Sequence, residues 1–186
     1  MEDKAIVDLY WQRSDQAIPE TDRKYGRYCH AIAYNIMTNY EDAEECVNDT
    51  WFRAWNLMPD KRPTILSTFL GTISRNLALD RYRRRSRQKR GGGETELALD
   101  ELEDCIPDRD GVEQKIEEQE LAQAIDAFLS TLPATDRKIF VARYWFVAPV
   151  KEIADKLNCS PGKVKMTLYR LRGRLHSTLQ EEGLVL

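Results

Sequence analysis

Seven of the ten residues from Arg81 to Arg90 are lysine or arginine. No single helix face is wide enough to hold them all, so the surface they make is basic nearly all round. Such a surface repels itself unless an anion is close by, and a polyphosphate backbone is the obvious one. Just upstream, Phe69, Ile73 and Leu77 recur at four-residue spacing on one helix face, while Thr72, Arg75, Asn76, Leu79 and Arg83 share another. The stretch 69–90 therefore begins as an amphipathic helix and ends as a run of cations. Charge alone leaves two readings open, a solvated helix end or a phosphate-binding surface.

A second cationic element lies in residues 150–175, which have the form of a helix-turn-helix. Ile153, Ala154 and Leu157 make the inner face of a first short helix. Asn158 and Cys159 supply a turn, where Asn tolerates a left-handed backbone. Ser160 is a good N-cap and Pro161 a good first helical residue. In the second helix Val164, Leu168, Leu171 and Leu175 fall within about 60° of one another. The opposite side presents Lys163, Lys165, Met166, Tyr169 and Arg170, flanked by Arg172 and Arg174. A cationic, outward second helix suits the major groove of DNA. The alternative is an ordinary helical hairpin with a solvated basic face.

A third surface is acidic. Glu41, Asp42, Glu44, Glu45, Asn48 and Asp49 decorate a helix whose inner stripe is Ala43, Cys46, Val47, Thr50, Trp51, Ala54, Trp55 and Met58. Acids in the first turn complement the helix dipole, which accounts for Glu41 and Asp42. The others are a solvated face or a docking surface for a basic or polar partner. Nothing places them in an apolar pocket beside a partner base, so a catalytic role is not expected.

The elements that must carry these groups read as all α-helical. The chain has 186 residues and a net charge of −3, but the charge comes in blocks. Residues 69–90 carry eight cations and one anion, residues 94–120 twelve anions and two cations, and residues 137–176 ten cations and two anions. Two basic modules thus flank an acidic connector. Helices are expected over about 3–13, 22–38, 41–57 and 65–88, forming one small bundle in residues 1–90. Residues 91–113, with three opening glycines, Pro107 and Gly111, read as a flexible acidic linker. Residues 114–186 give a second bundle. Its first helix carries the stripe Leu121, Ala124, Ile125, Phe128, Leu129 and Leu132 up to Pro133.

No apolar run approaches the roughly 18 residues of a membrane span, and the N-terminus lacks the basic start and apolar core of a signal peptide. A cytoplasmic protein is expected. Cys29, Cys46, Cys105 and Cys159 are widely spaced, so reduced structural thiols are expected rather than a zinc site with His30 or His176. The sequence has no Gly-rich phosphate loop, metal cluster or nucleophile–base pairing, so neither enzyme chemistry nor a cofactor is expected.

Three segments in this order resemble the sigma-70 family of bacterial RNA polymerase sigma factors, with the two-module layout of its extracytoplasmic-function (ECF) group. EDAEECVNDTWFRAW (41–55) resembles the family's core-polymerase-binding helix. FLGTISRNLALDRYRRR (69–85) resembles its promoter-melting, −10-recognising helix. LPATDRKIFVARYWFVAPVKEIADKLNCSPGKVKMTLYRLRGRL (132–175) resembles its −35-binding module. The resemblance implies a sigma2-like domain over 1–90, a linker over 91–113 and a sigma4-like domain over 114–186. It implies that Asp42, Glu45, Asn48 and Asp49 dock on the clamp helices of the polymerase β′ subunit. Arg75 and Asn76, with the loop around 59–68, would meet the non-template strand of the −10 element, and Arg83, Arg84, Arg85 and Arg87 would hold adjacent phosphates. Lys163, Lys165, Met166, Tyr169 and Arg170 would read the −35 major groove. Core RNA polymerase, including its β flap, promoter DNA and an anti-sigma factor are the implied partners. Phe69 stands where the family often has Trp, Asn48 where Gln is usual and Lys163 where Thr is common.

Two other functions fit parts of the pattern. A stand-alone transcriptional regulator would use the same helix-turn-helix, but the sequence has no evident dimerisation segment or ligand domain. An anti-sigma-like scaffold would use acidic surfaces, but the two basic modules argue against it.

Overall fold

The computed structural model describes residues 1–58, 60–86, 93–103 and 114–184. Arg87, Cys105 and the acidic residues 104–113, all singled out above, lie outside the described residues. The chain divides into two compact units, Met1–Gly91 and Gly92–Leu186. Among the described residues the regular elements are all helices.

The first unit contains α1 (Asp3–Trp11), α2 (Ala17–Met37), α3 (Tyr40–Leu57) and α4 (Leu66–Ser86). Helices α2, α3 and α4 pack pairwise on one another and α1 lies on α2. Helix α2 starts five residues before the expected Asp22, and Pro19 explains why the start is hard to read. A proline in the first turn loses no intrahelical hydrogen bond and is tolerated there. Thr38 ends α2 in the left-handed conformation at φ 51°. One residue later the Asn39 side chain accepts a hydrogen bond from the Asp42 backbone N–H at 2.9 Å and starts α3. This cap fixes the first turn that carries Glu41 and Asp42.

The core of this unit gathers Ile6, Tyr10, Cys29, Val47, Trp51, Ala54, Met58, Leu66, Leu70 and Ile73. Each fully buried aliphatic side chain among them contributes about 1.5–3 kcal/mol by leaving water. Its few polar groups are paired. The Tyr10 hydroxyl donates to Thr21 Oγ1 at 2.9 Å, and the Thr21 hydroxyl donates to the Ala17 carbonyl at 2.7 Å. Ser74 Oγ of α4 donates to the Cys29 carbonyl of α2, tying the two helices together at 3.1 Å. Cys29 and Cys46 are buried free thiols. Burial pushes the Cys29 thiol up to about 12 and the Cys46 thiol up to about 11. At physiological pH both are protonated, small apolar side chains.

The second unit contains α5 (Glu94–Glu103), α6 (Gln114–Thr131), α7 (Ala134–Tyr144), α8 (Val150–Lys156) and α9 (Pro161–Glu181). Helix α9 packs on α6, α7 and α8. Its inner face is the expected one: Val164, Leu168, Leu171 and Leu175 are all buried, with Thr167 and Leu179 beside them. Arg137 donates to the carbonyls of Ser130 and Leu132, each at 3.1 Å, satisfying acceptors left open at the end of α6. The α8–α9 turn places Asn158 at φ 50°. Ser160 Oγ then accepts from the Lys163 N–H at 3.2 Å, and Pro161 follows at the first helical position. Ser160→Ala is expected to lower the stability of this unit by about 1 kcal/mol in urea unfolding, with no change in the helix content of the folded protein.

The acidic stretch read as a linker holds a helix in its first part. Helix α5 buries Thr95 and Ala98 and packs on α7.

Candidate polymerase and nucleic-acid interfaces

Helix α3 turns its apolar stripe inward, so its acids stand outside. Glu41, Glu44, Glu45 and Asn48 are exposed, whereas Asp42 and Asp49 are partly covered. What covers them was not anticipated. Arg85 of α4 forks onto both carboxylate oxygens of Asp42, one of the two bonds measuring 2.8 Å. Arg81, one turn earlier, pairs with Asp49 and with Glu45, the latter at 3.2 Å. A bond to the Asp42 carbonyl at 3.5 Å completes its contacts with α3. Partial burial pulls the Arg81 pKa down, but the hydrogen bond it donates to Asp49 and the charges of Glu45 and Asp49 outweigh it, leaving the pKa above its usual value.

The same outer face carries Phe52, which is 69% exposed. It sits 100° around the helix from Trp51, off the apolar stripe, and one to two turns from Glu45, Asn48 and Asp49. Its signal in the sequence is an aromatic out of phase with the buried Trp51 and the half-buried Trp55. Between α2 and α3 runs an open groove of about 750 Å³ lined by Arg27, His30, Tyr40, Glu44 and Asn48 among others. Tyr34 and Tyr40 flank His30, with ring centroids 6.1 and 4.8 Å away. Exposed aromatics set among acids offer both apolar area and charge on this face.

On α4 the cations divide into two sets. Arg81 and Arg85 pair with acids of α3, and Arg83 and Arg84, exposed like Arg85, are not among those contacts. Asn76 is exposed and Arg75 half-buried. Burial, then the charge of Arg83, pushes the Arg75 pKa down. The loop leading into α4 keeps Ile65 61% exposed. Arg62 stacks over Trp11 at 5.2 Å and pairs with Asp8, so this loop is tied to α1.

On α9, Lys163, Lys165, Met166, Tyr169 and Arg170 are all exposed. Met166 and Tyr169, at 68% and 69%, are large side chains left in water among cations. That mixture suits a groove offering phosphates at its rims and methyl groups and base edges at its floor. Arg170 is partly engaged, pairing with Asp136 of α7 at 2.9 Å.

Arg143 of α7 was missed altogether. It is 1% exposed and would be a buried bare charge without α5. Glu101 binds it in bidentate fashion at 3.0 and 3.1 Å, and Glu94 adds a contact of 2.6 Å. The Tyr144 hydroxyl also donates to Glu101, and Arg172 of α9 donates to that hydroxyl at 2.8 Å. Burial lowers the Arg143 pKa and the two glutamates more than restore it.

Among the described residues no group of three His, Cys, Asp or Glu is placed to hold a metal ion. No described helix is long and apolar enough to cross a membrane.

Residues 22–88 match Sigma-70 region 2 and residues 122–175 match Sigma-70, region 4. The chain belongs to the sigma-70 family. Its curated relatives are of the ECF type. The ECF RNA polymerase sigma factor SigE of Mycolicibacterium smegmatis is 28% identical over 171 residues, spanning 90% of this chain and 64% of that protein. The ECF RNA polymerase sigma factor SigW of Bacillus subtilis is 26% identical over 156 residues, spanning 82% of this chain and 83% of that one. This chain therefore spans slightly under two thirds of the length of SigE. Among solved structures, the sigma factor RpoE in complex with the anti-sigma factor NepR from Bartonella quintana aligns over 89% of this chain and 98% of that chain, at 20% identity and a TM-score of 0.38.

Proposed function

We propose that this protein is an ECF-type sigma factor, a transcription initiation factor that joins core RNA polymerase and directs it to promoters. The observation that carries the reading is the presence, in one chain and in order, of sequence matches to both sigma-70 regions, each with a charged surface suited to its role. In residues 1–90 the exposed face of α3, with Asp42, Glu45, Asn48, Asp49 and the newly recognised Phe52, docks on the β′ clamp helices. The acids meet basic or polar groups there, and Phe52 supplies apolar area at the centre. Arg75, Asn76 and the loop before α4 meet the displaced strand of the −10 element, and Arg83, Arg84, Arg85 and Arg87 hold its phosphates. Residues 114–186 place Lys163, Lys165, Met166, Tyr169 and Arg170 in the −35 major groove. An anti-sigma factor is a further proposed partner, and the cytoplasm the proposed location. Polymerase performs the chemistry, so no catalytic residue is assigned in this chain. Two weak DNA contacts on one polymerase-bound chain add through effective concentration.

A stand-alone regulator uses α8 and α9 alone and leaves the acid face of α3 without a task. The match to region 2 supports the sigma reading over it. The test is a pull-down of purified bacterial core polymerase with this protein, followed by run-off transcription on a genomic fragment library. Retained polymerase with new, discrete start sites is expected. Specific duplex retention without polymerase binding would overturn the reading in favour of the stand-alone regulator.

A further inference from the structure

The α3 acids and Arg85 of α4, assigned to two different partners, hold each other in the free chain, and Arg81 joins them one turn away. We propose that Arg81 and Arg85 form a charge latch on Asp42, Glu45 and Asp49 that each partner must open, so that polymerase docking and single-strand capture strengthen one another. This inference rests on the sigma-factor reading.

The geometry supports the latch in three ways. Arg81 and Arg85 lie one turn apart, so they project from one stripe of α4. Asp42, Glu45 and Asp49 lie three and four residues apart, so they form a matching stripe on α3. The contacts are specific, with a fork from Arg85 to Asp42 and a branched contact from Arg81 to Glu45 and Asp49. Arg83 and Arg84, between the two latch residues, are exposed.

The latch is also exchangeable. The Arg85 side chain is 58% exposed and that of Glu45 68%, so water and salt compete at these pairs, and each is worth little alone. A basic surface arriving at α3 offers Asp42, Glu45 and Asp49 new partners and releases Arg85 and Arg81 for a phosphate chain. A phosphate chain arriving at α4 releases the acids in turn. By linkage the gain is the same in both directions. Two latched arginines at the strength of exposed pairs correspond to a coupling of about three- to tenfold.

The test measures both halves on the full-length protein. Arg85→Ala and Arg81→Ala each remove a cation from a protein that must meet polymerase through acids. Both are expected to bind purified core polymerase about three- to tenfold more tightly than wild type at low salt, with the difference fading at high salt. Lys4→Ala, which removes an exposed cation of α1, controls for net charge. Asp42→Ala is expected to bind a short fluorescein-labelled single-stranded DNA more tightly than wild type by a similar factor in the absence of polymerase. Circular dichroism melts verify that each variant is folded. Wild-type polymerase affinity in both arginine variants, with wild-type single-strand affinity in Asp42→Ala, would overturn the latch. Should wild type itself fail to bind polymerase, the sigma reading falls, and the Asp42→Ala arm still decides whether the acids mask the cations.

Discussion

Replacing Glu45 and Asp49 together by lysine is expected to weaken binding to core polymerase by about 100-fold or more while leaving the first unit folded. A 100-fold loss corresponds to about 2.7 kcal/mol. Two charge reversals in the proposed complementary interface readily exceed it, because attraction becomes repulsion at both positions. The cost to the fold is small. The side chains of Glu45 and Asp49 are 68% and 49% exposed, and their described ion pairs are to Arg81 alone. Losing exposed pairs of this kind costs about 1 kcal/mol or less each. The first unit is held by Trp51, Ile6, Leu70 and their neighbours rather than by these pairs. Fluorescence anisotropy of labelled protein against purified core polymerase, with a thermal melt alongside, separates the two effects. Wild-type affinity in the double variant would remove the docking role from α3. Unfolding would show that Arg81 needs its acids for structure, in which case Phe52→Ala tests the same surface without touching a charge.

The outcome bears on how much of this protein its sequence discloses. Local signals were sufficient where the deciding contacts are local. The αL turn at Asn158, the Ser160 cap and the buried stripe Val164–Leu168–Leu171–Leu175 are all set within a few residues, and each appears where the pattern puts it. The outward placement of Lys163, Lys165, Met166, Tyr169 and Arg170 follows from the same periodicity. The acids of α3 were legible as an outward face for the same reason.

What the sequence concealed are pairings between distant residues. Arg81 and Arg85 meet acids 32 to 43 positions away, and nothing in a run of cations says which of them faces inward. Arg85, read as a phosphate-holding residue like Arg83 and Arg84, differs from them only because α3 and α4 cross where they do. Helix α5 is the stronger case. Its acids look like those of a solvated connector, and their partner Arg143 lies 42 and 49 residues downstream inside an apolar stretch. A cation among Ile139, Phe140 and Tyr144 was a signal, since an arginine is almost never fully buried without a partner.

That buried cation leads to a large expected effect in the second unit. Glu101→Ala is expected to destabilise it by about 2–3 kcal/mol, because the residue left behind is a buried guanidinium short of its bidentate partner. Breaking a fully buried pair typically costs about 3–5 kcal/mol, and the expected loss is smaller here because Glu94 still reaches Arg143 at 2.6 Å and the Ala148 carbonyl accepts at 3.3 Å. Arg143→Met should cost less than Glu101→Ala, although it deletes the buried member of the pair. Methionine fills much of the same volume, and the stranded carboxylates of Glu101 and Glu94, 29% and 45% exposed, can turn to water. This reversed order is the discriminating result. Urea titrations followed by hydrogen exchange of the α7 and α8 amides would measure it. Equal losses in the two variants would mean that α5 adds only apolar contact through Thr95 and Ala98. The expected order would mean that α5 belongs to the second unit by electrostatic necessity. Arg172 is tied to the same carboxylate through Tyr144, so α9 would then lose support whenever α5 leaves.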